Sequence, residues 1–259
     1  MAIAKKILGF MEKASWIRKM FEQGAILKKQ YGADNVYDFS LGNPNLEPPE
    51  KFFEVLASVV SSRAPGTHGY MSNAGYAETR GAVAEYLSEE HGIEIFGEHV
   101  IMTCGAGGAL NVILKTLLDP GDEVIVPAPY FVEYDFYIDT FGGVPRPVKT
   151  NRDFSLDLAA IEAALSEKTK AVLINSPNNP TGKVYSQETI SGLGRLLATK
   201  SRQQPGREIY LVSDEPYGKI VYDGIKVPSI FQAYANSLMA TSYSKDLSCL
   251  LYTSPSPRD

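Results

Sequence analysis

The chain is poor in cysteine. Of its 259 residues only Cys104 and Cys249 carry a thiol, so no disulfide framework can staple the fold. A reducing, cytoplasmic setting is expected. Long apolar runs are missing too: no stretch is long enough to span a bilayer, and the start shows no signal-peptide core or cleavage site. A membrane partner is therefore not expected. There is no excess of positive charge: 25 Lys and Arg face 30 Asp and Glu, for a formal net charge of -5. That balance argues against nucleic acid as a partner. No internal repeat is visible, which excludes solenoids and propellers. What is present is ordinary for a globular protein, with 44% hydrophobic and 21% charged residues, enough for a sizeable core.

Residues 4–31 read as an amphipathic helix, with Ile7, Leu8, Met11, Trp16, Ile17, Met20, Phe21 and Ile26 at helical spacing. Lysines and arginines fill much of the other face, diluted by Glu12 and Glu22. Beyond Pro49 the periodicity alternates. Helices are predicted over 50–62, 75–91 and 156–165, with a further one running on from Leu110. Strands are predicted over 100–103, 123–126, 144–148, 171–174, 209–212 and 238–240. Residues 201–207, polar and containing Pro205-Gly206, read as an exposed loop. This alternation predicts an α/β fold, a three-layer α/β/α sandwich around a mostly parallel sheet.

Four segments carry chemistry. Lys245 follows the apolar run Leu238-Met239-Ala240 within Thr241-Ser242-Tyr243-Ser244-Lys245-Asp246. A desolvated amine loses its proton readily and attacks carbonyls; a solvated strand-end lysine is the plain alternative. Asn175-Ser176-Pro177-Asn178-Asn179-Pro180-Thr181-Gly182 follows Ala171-Val172-Leu173-Ile174 and predicts a rigid turn at a strand's C-terminal end, where open α/β sheets bind ligands. An ordinary loop would read the same. Asp214, after Ile209-Tyr210-Leu211-Val212, can hold a ring nitrogen protonated, or can cap a helix. Thr103-Cys104-Gly105-Ala106-Gly107-Gly108 opens a helix, and the exposed amides of a helix start accept phosphate; a tight strand-to-helix turn is the alternative. Cys104 itself reads as a small buried residue.

In this order the segments resemble the class I/II aminotransferases, the fold-type I enzymes that use pyridoxal phosphate (PLP). The matching residues are Asn175-x-Pro177-x-Asn179-Pro180-Thr181-Gly182, Asp214-x-x-Tyr217 and Ser242-x-Ser244-Lys245. Leu41-Gly42-Asn43-Pro44, Tyr70 ahead of Gly75, and Pro127-x-Pro129-Tyr130-Phe131 extend the match. It covers residues from about Asp38 to Ser248. The resemblance implies Lys245 as the catalytic amine that links to PLP, and Asp214 as the partner of the pyridine nitrogen. It implies Asn179 and Tyr217 on the ring oxygen and Phe131 on the ring face. Gly105, Ala106 and Gly107, with Ser242, would hold the phosphate. Tyr70 would reach the phosphate of a neighbouring subunit in a homodimer, and Gly42 would line the substrate pocket. No metal is implied. The substrates implied are an amino acid and a 2-oxo acid, exchanged by a ping-pong mechanism.

The match breaks after Ser248. The family's phosphate-binding arginine would fall at Thr253, and its substrate-carboxylate arginine belongs to a small domain that this sequence lacks. Three regions are therefore expected: an arm and small-domain segment over 1–48, a PLP-binding large domain over 49–248, incomplete, and a disordered non-family tail over 249–259. The expected function is transamination in amino acid metabolism. The alternatives are another fold-type I reaction, such as a C–S β-lyase, or a non-catalytic remnant.

Overall fold

A computed structural model describes residues 3–39, 46–66 and 69–248. The chain divides into two units, Met1–Glu47 and Pro48–Asp259. In the first, helix α1 runs from Lys5 to Tyr31. It stops at Gly32, whose φ of 85° takes the backbone out of the helical region. Lys28 donates to Asp38 at 2.9 Å beyond that stop.

The second unit is built on a five-stranded, wholly parallel sheet. Its strands are β1 (Glu123–Ala128), β2 (Val144–Lys149), β3 (Thr169–Asn175), β4 (Tyr210–Asp214) and β5 (Ser237–Ala240), in the order β2-β1-β3-β4-β5. Helices α2 (Glu50–Ser61), α3 (Ala77–His91), α4 (Gly105–Leu117), α5 (Glu133–Thr140), α6 (Leu158–Ala164), α7 (Gln187–Gln203) and α8 (Ile230–Ala233) complete it.

The central strands are continuous apolar runs because both faces are covered. Alternate side chains go to opposite layers. Ile125, Val172, Ile174 and Leu211 pack with Ile161 of α6, Ile190, Leu193 and Leu197 of α7, and Ile230 of α8. Val124, Val126, Ala171, Leu173 and Val212 pack with Leu110 and Leu114 of α4, and Tyr134 and Ile138 of α5. The result is the expected α/β/α sandwich.

Three local expectations are corrected. Val100–Thr103 is not a strand. Val100 is extended, with φ of -111° and ψ of 130°, but among the described residues no strand pairs with the run, and extended backbone joins a sheet only through a neighbour's ladder. Residues 201–207 are not a free loop. Helix α7 continues to Gln203, the Ser201 hydroxyl accepts from the Ile209 amide at 3.0 Å, and Arg207 pairs with Asp122. Cys104 is exposed rather than buried, because it sits at the N-cap of α4, on the turn out of the extended run.

Candidate active site

Register brings the polar strand ends together. Asn175 of β3 lies opposite Asp214 of β4, which lies opposite Ala240 of β5. Three neighbouring strands thus end at one level, and the loops beyond them carry Asn179, Tyr217 and Lys245. The Glu215 amide donates to Ala240 O at 2.8 Å, and the Thr241 hydroxyl to Glu215 O at 3.1 Å. These bonds fix the start of the segment that holds Lys245. The Lys245 amine lies 6.0 Å from the centre of the Tyr217 ring.

Asp214 is 5% exposed. Its Oδ2 accepts from the Tyr134 hydroxyl at 2.5 Å. Its Oδ1 is buried and has no hydrogen-bond partner among the described residues. Burial pushes the carboxyl up to about 6, against the pull of the Tyr134 hydrogen bond. Asp214 does not cap a helix; a turn follows it.

Asn175 ties the neighbouring loop to this strand. Its Nδ2 donates to Asp214 O at 2.7 Å, and its Oδ1 accepts from the Asn179 amide at 2.6 Å. The loop folds on itself through Asn178, whose Oδ1 accepts from the Thr181 amide and hydroxyl, at 3.1 and 2.9 Å. The Ser176–Pro177 and Asn179–Pro180 peptide bonds are cis. The Asn179 and Tyr217 side chains are hydrogen-bonded; burial first, then the charge of Asp214, raise the Tyr217 phenol, while the Asn179 bond lowers it.

Gly105, Ala106 and Gly107 form the first turn of α4. Gly105 has a φ of 68°, which turns the chain from the extended run into the helix. At Gly107 an added Cβ would come within 3.2 Å of the Tyr137 hydroxyl, so the backbone there runs close to α5. The leading amides of a helix start have no intrahelical acceptor and favour an anion. Gly105 and Ser242 line one cavity of about 670 Å³, together with Met102, Glu215 and Leu238. Asp214, Asn179, Tyr217 and Lys245 do not line it.

Phe131 packs near-perpendicular on Tyr134, with ring centres 5.6 Å apart. Tyr70 is fully exposed and is not brought to these residues. Gly42 lies outside the described residues. Sequence reasoning gave Tyr134 no role, and took Asn175 only as the first residue of the Asn175-to-Gly182 motif, without the two bonds it makes here. An aromatic four residues past Tyr130, just beyond a strand end, was the available signal for the first. Among the described residues, no group of three or more His, Cys, Asp or Glu could hold a metal ion, and no helix is long and apolar enough to cross a membrane.

Comparison with known proteins gives concordant matches. The family model described as aminotransferase class I and II matches residues 34–250. A probable aspartate aminotransferase of Methanocaldococcus jannaschii is 31% identical over 82% of this chain and 52% of its own length. The aspartate/prephenate aminotransferase of Thermus thermophilus is 37% identical over 77% of this chain and 50% of its own length. Among solved structures, an amino transferase from Eubacterium rectale superposes with a TM-score of 0.89 at 40% identity, covering 96% of this chain and 63% of that one. The chain spans about half the length of the curated relatives it matches.

Proposed function

The chain belongs to the class I and II aminotransferase family, and on that premise we propose that the whole protein is a PLP-dependent transaminase, exchanging an amino group between an amino acid and a 2-oxo acid. One observation carries the reading. Among the described residues the buried Asp214 Oδ1 has no donor, and it lies at the sheet end whose loops also carry Lys245, Asn179 and Tyr217. An unpaired buried acceptor costs about 1–3 kcal/mol, and a ring N–H would remove that cost. The residues therefore fit PLP.

When bound, PLP supplies an electron sink for the electrons left at the substrate's Cα. The chain's own residues do the rest. Asp214 would accept from the ring N–H, and its negative charge would keep that nitrogen protonated. Tyr217 and Asn179 would donate to the ring oxygen. The first-turn amides of α4 and the Ser242 hydroxyl would bind phosphate. Phe131 would lie against the ring. Lys245 would supply the amine that anchors the cofactor and a base for the proton at Cα. In a homodimer Tyr70 would bind the partner's phosphate, and Gly42 would belong to the substrate site, as the family resemblance implies. The division into 1–48, 49–248 and 249–259 and a cytoplasmic setting belong to the same reading. The relatives' names favour aspartate as the first donor to assay.

The test is reduction of the PLP-loaded protein with borohydride, followed by peptide mapping. The cofactor should be fixed to the peptide that contains Lys245, and Lys245→Ala should abolish amino transfer. Label on a different lysine would sink the assignment. The competing reading is a PLP-binding protein without catalysis. Stoichiometric PLP absorbance without amino transfer would select it.

A further inference from the structure

We propose that Tyr134 is a positioning residue: its hydroxyl holds Oδ2 of Asp214, so that Oδ1 alone is presented to the cofactor's ring nitrogen. The first half of this statement stands on geometry alone, and the second rests on the PLP reading.

Tyr134 lies in the first turn of α5, 80 residues before Asp214, and is 1% exposed. Its ring cannot swing. Tyr130 stacks along it, with centres 6.3 Å apart and planes 14° apart, and Phe131 meets it edge-on. Leu173 and Val212 belong to the same packed layer. The aspartate backbone is fixed as well, within β4 between β3 and β5 and by the Asn175 amide on its carbonyl. A rigid donor meeting a rigid acceptor leaves the carboxylate one orientation, and that orientation puts the unpartnered oxygen on the other side.

The hydroxyl also selects a charge state. Burial, then the charge and hydrogen bond of Asp214, push the Tyr134 phenol far above its ordinary range. It therefore stays protonated and can only donate to the carboxylate. Other titratable groups near Asp214 do not help the anion. Tyr137 on α5 and Tyr217 beyond β4 are raised phenols that feel the Asp214 charge, and neighbouring Glu215 is itself pushed up by burial and by Asp214. Without the Tyr134 donor, the buried carboxyl keeps its proton to higher pH. A protonated carboxyl offers a hydrogen where a ring N–H needs an acceptor. A tyrosine present only for packing would leave this titration unmoved.

The experiment uses the full chain, labelled with carboxyl-13C aspartate and titrated by NMR without cofactor. The Asp214 resonance is assigned by its loss in Asp214→Asn. In Tyr134→Phe the Asp214 midpoint should rise by about one to two pH units. In a second variant, 3-fluorotyrosine is placed at position 134. It keeps the ring's shape but carries a more acidic hydroxyl, so the midpoint should move down. Circular dichroism checks that each variant folds. The same proteins are then titrated with PLP, and the dissociation constant should rise about tenfold in Tyr134→Phe. Unmoved Asp214 titration in the fluorotyrosine chain overturns the positioning role. A shifted titration with unchanged PLP affinity overturns the cofactor half of it. An unsubstituted chain that takes no PLP defeats the functional reading, while the NMR titration still decides the Tyr134–Asp214 contact.

Discussion

Asp214 and Glu215 are adjacent carboxyls, both buried. Burial pushes them up to about 6 and about 7, above the roughly 3.9 and 4.3 of unfolded chains. Groups raised in this way oppose folding when ionised. Their penalty is absent below about pH 4 and complete above about pH 7. The cofactor-free chain should therefore lose stability from these two groups as pH rises from 4.5 to 7.5, on the order of 2–3 kcal/mol each. Urea melts across that range read the slope. Glu215→Gln should flatten it and stabilise the chain at pH 8; an unchanged slope would show that Glu215 titrates normally. Asn175→Ala removes two partnerships at once, a buried one on Asp214 O and a part-buried one on the Asn179 amide. It should cost roughly 1–3 kcal/mol for each group left unpaired, measured as a lower urea midpoint. At this scale the sequence shows polar residues that end apolar runs, which is how Asn175 and Asp214 mark two strand ends, with Asn179 in the loop after the first. It does not show the bonds that Tyr134 and Asn175 make to Asp214, because that residue sits 80 and 39 residues further along the chain.

Elements are held by close approaches as much as by periodicity. In α7, a Cβ on Gly194 would lie 2.3 Å from Ala233 O of α8. Helix propensity favours alanine over glycine by about 1 kcal/mol. A clash with backbone outweighs that, so Gly194→Ala should destabilise by about 1–3 kcal/mol. Gly81 in α3 is the control: a Cβ there meets nothing within 4 Å, and Gly81→Ala should raise stability by up to about 1 kcal/mol. Thermal melts of the two variants should move in opposite directions. The central strands β1, β3 and β4 are legible as runs because two covered faces demand apolar residues along most of their length. Val100–Thr103 has the same composition yet is no strand, since pairing depends on what lies alongside and not on the run itself. Residues 201–207 looked loose by composition, but their polar atoms are used on Ile209 and Asp122.

For the unit as a whole, the sheet has two edges, β2 and β5. Strand β2 carries Arg146 and Lys149 and two prolines, which blunt an edge. Strand β5 reads Ser-Leu-Met-Ala and has no charge. Among the described residues no strand pairs with its outer side, and Leu238 lines the cavity there together with Ile101 and Met102. Such an edge recruits other chains. The isolated 259-residue chain should associate in a concentration-dependent way in analytical ultracentrifugation, and Leu238→Lys should shift it towards the monomer. Association unaffected by that lysine would place the sticky surface elsewhere.

The strand order also sets a timetable. Once β1 and β2 have paired, β3, β4 and β5 add one after another on the same side, in the order in which a ribosome delivers them. The helix start at Gly105 emerges first, then Tyr134, then Asn175 and Asp214, and Lys245 last. Domains fold largely as they are made, N-terminal part first. The nascent chain can therefore set the Asp214 carboxylate, the Tyr134 donor that holds it and the first turn of α4 in place while the Lys245 amine is still inside the ribosome. On the proposed reading, the lysine then arrives at strand ends that have already been set side by side.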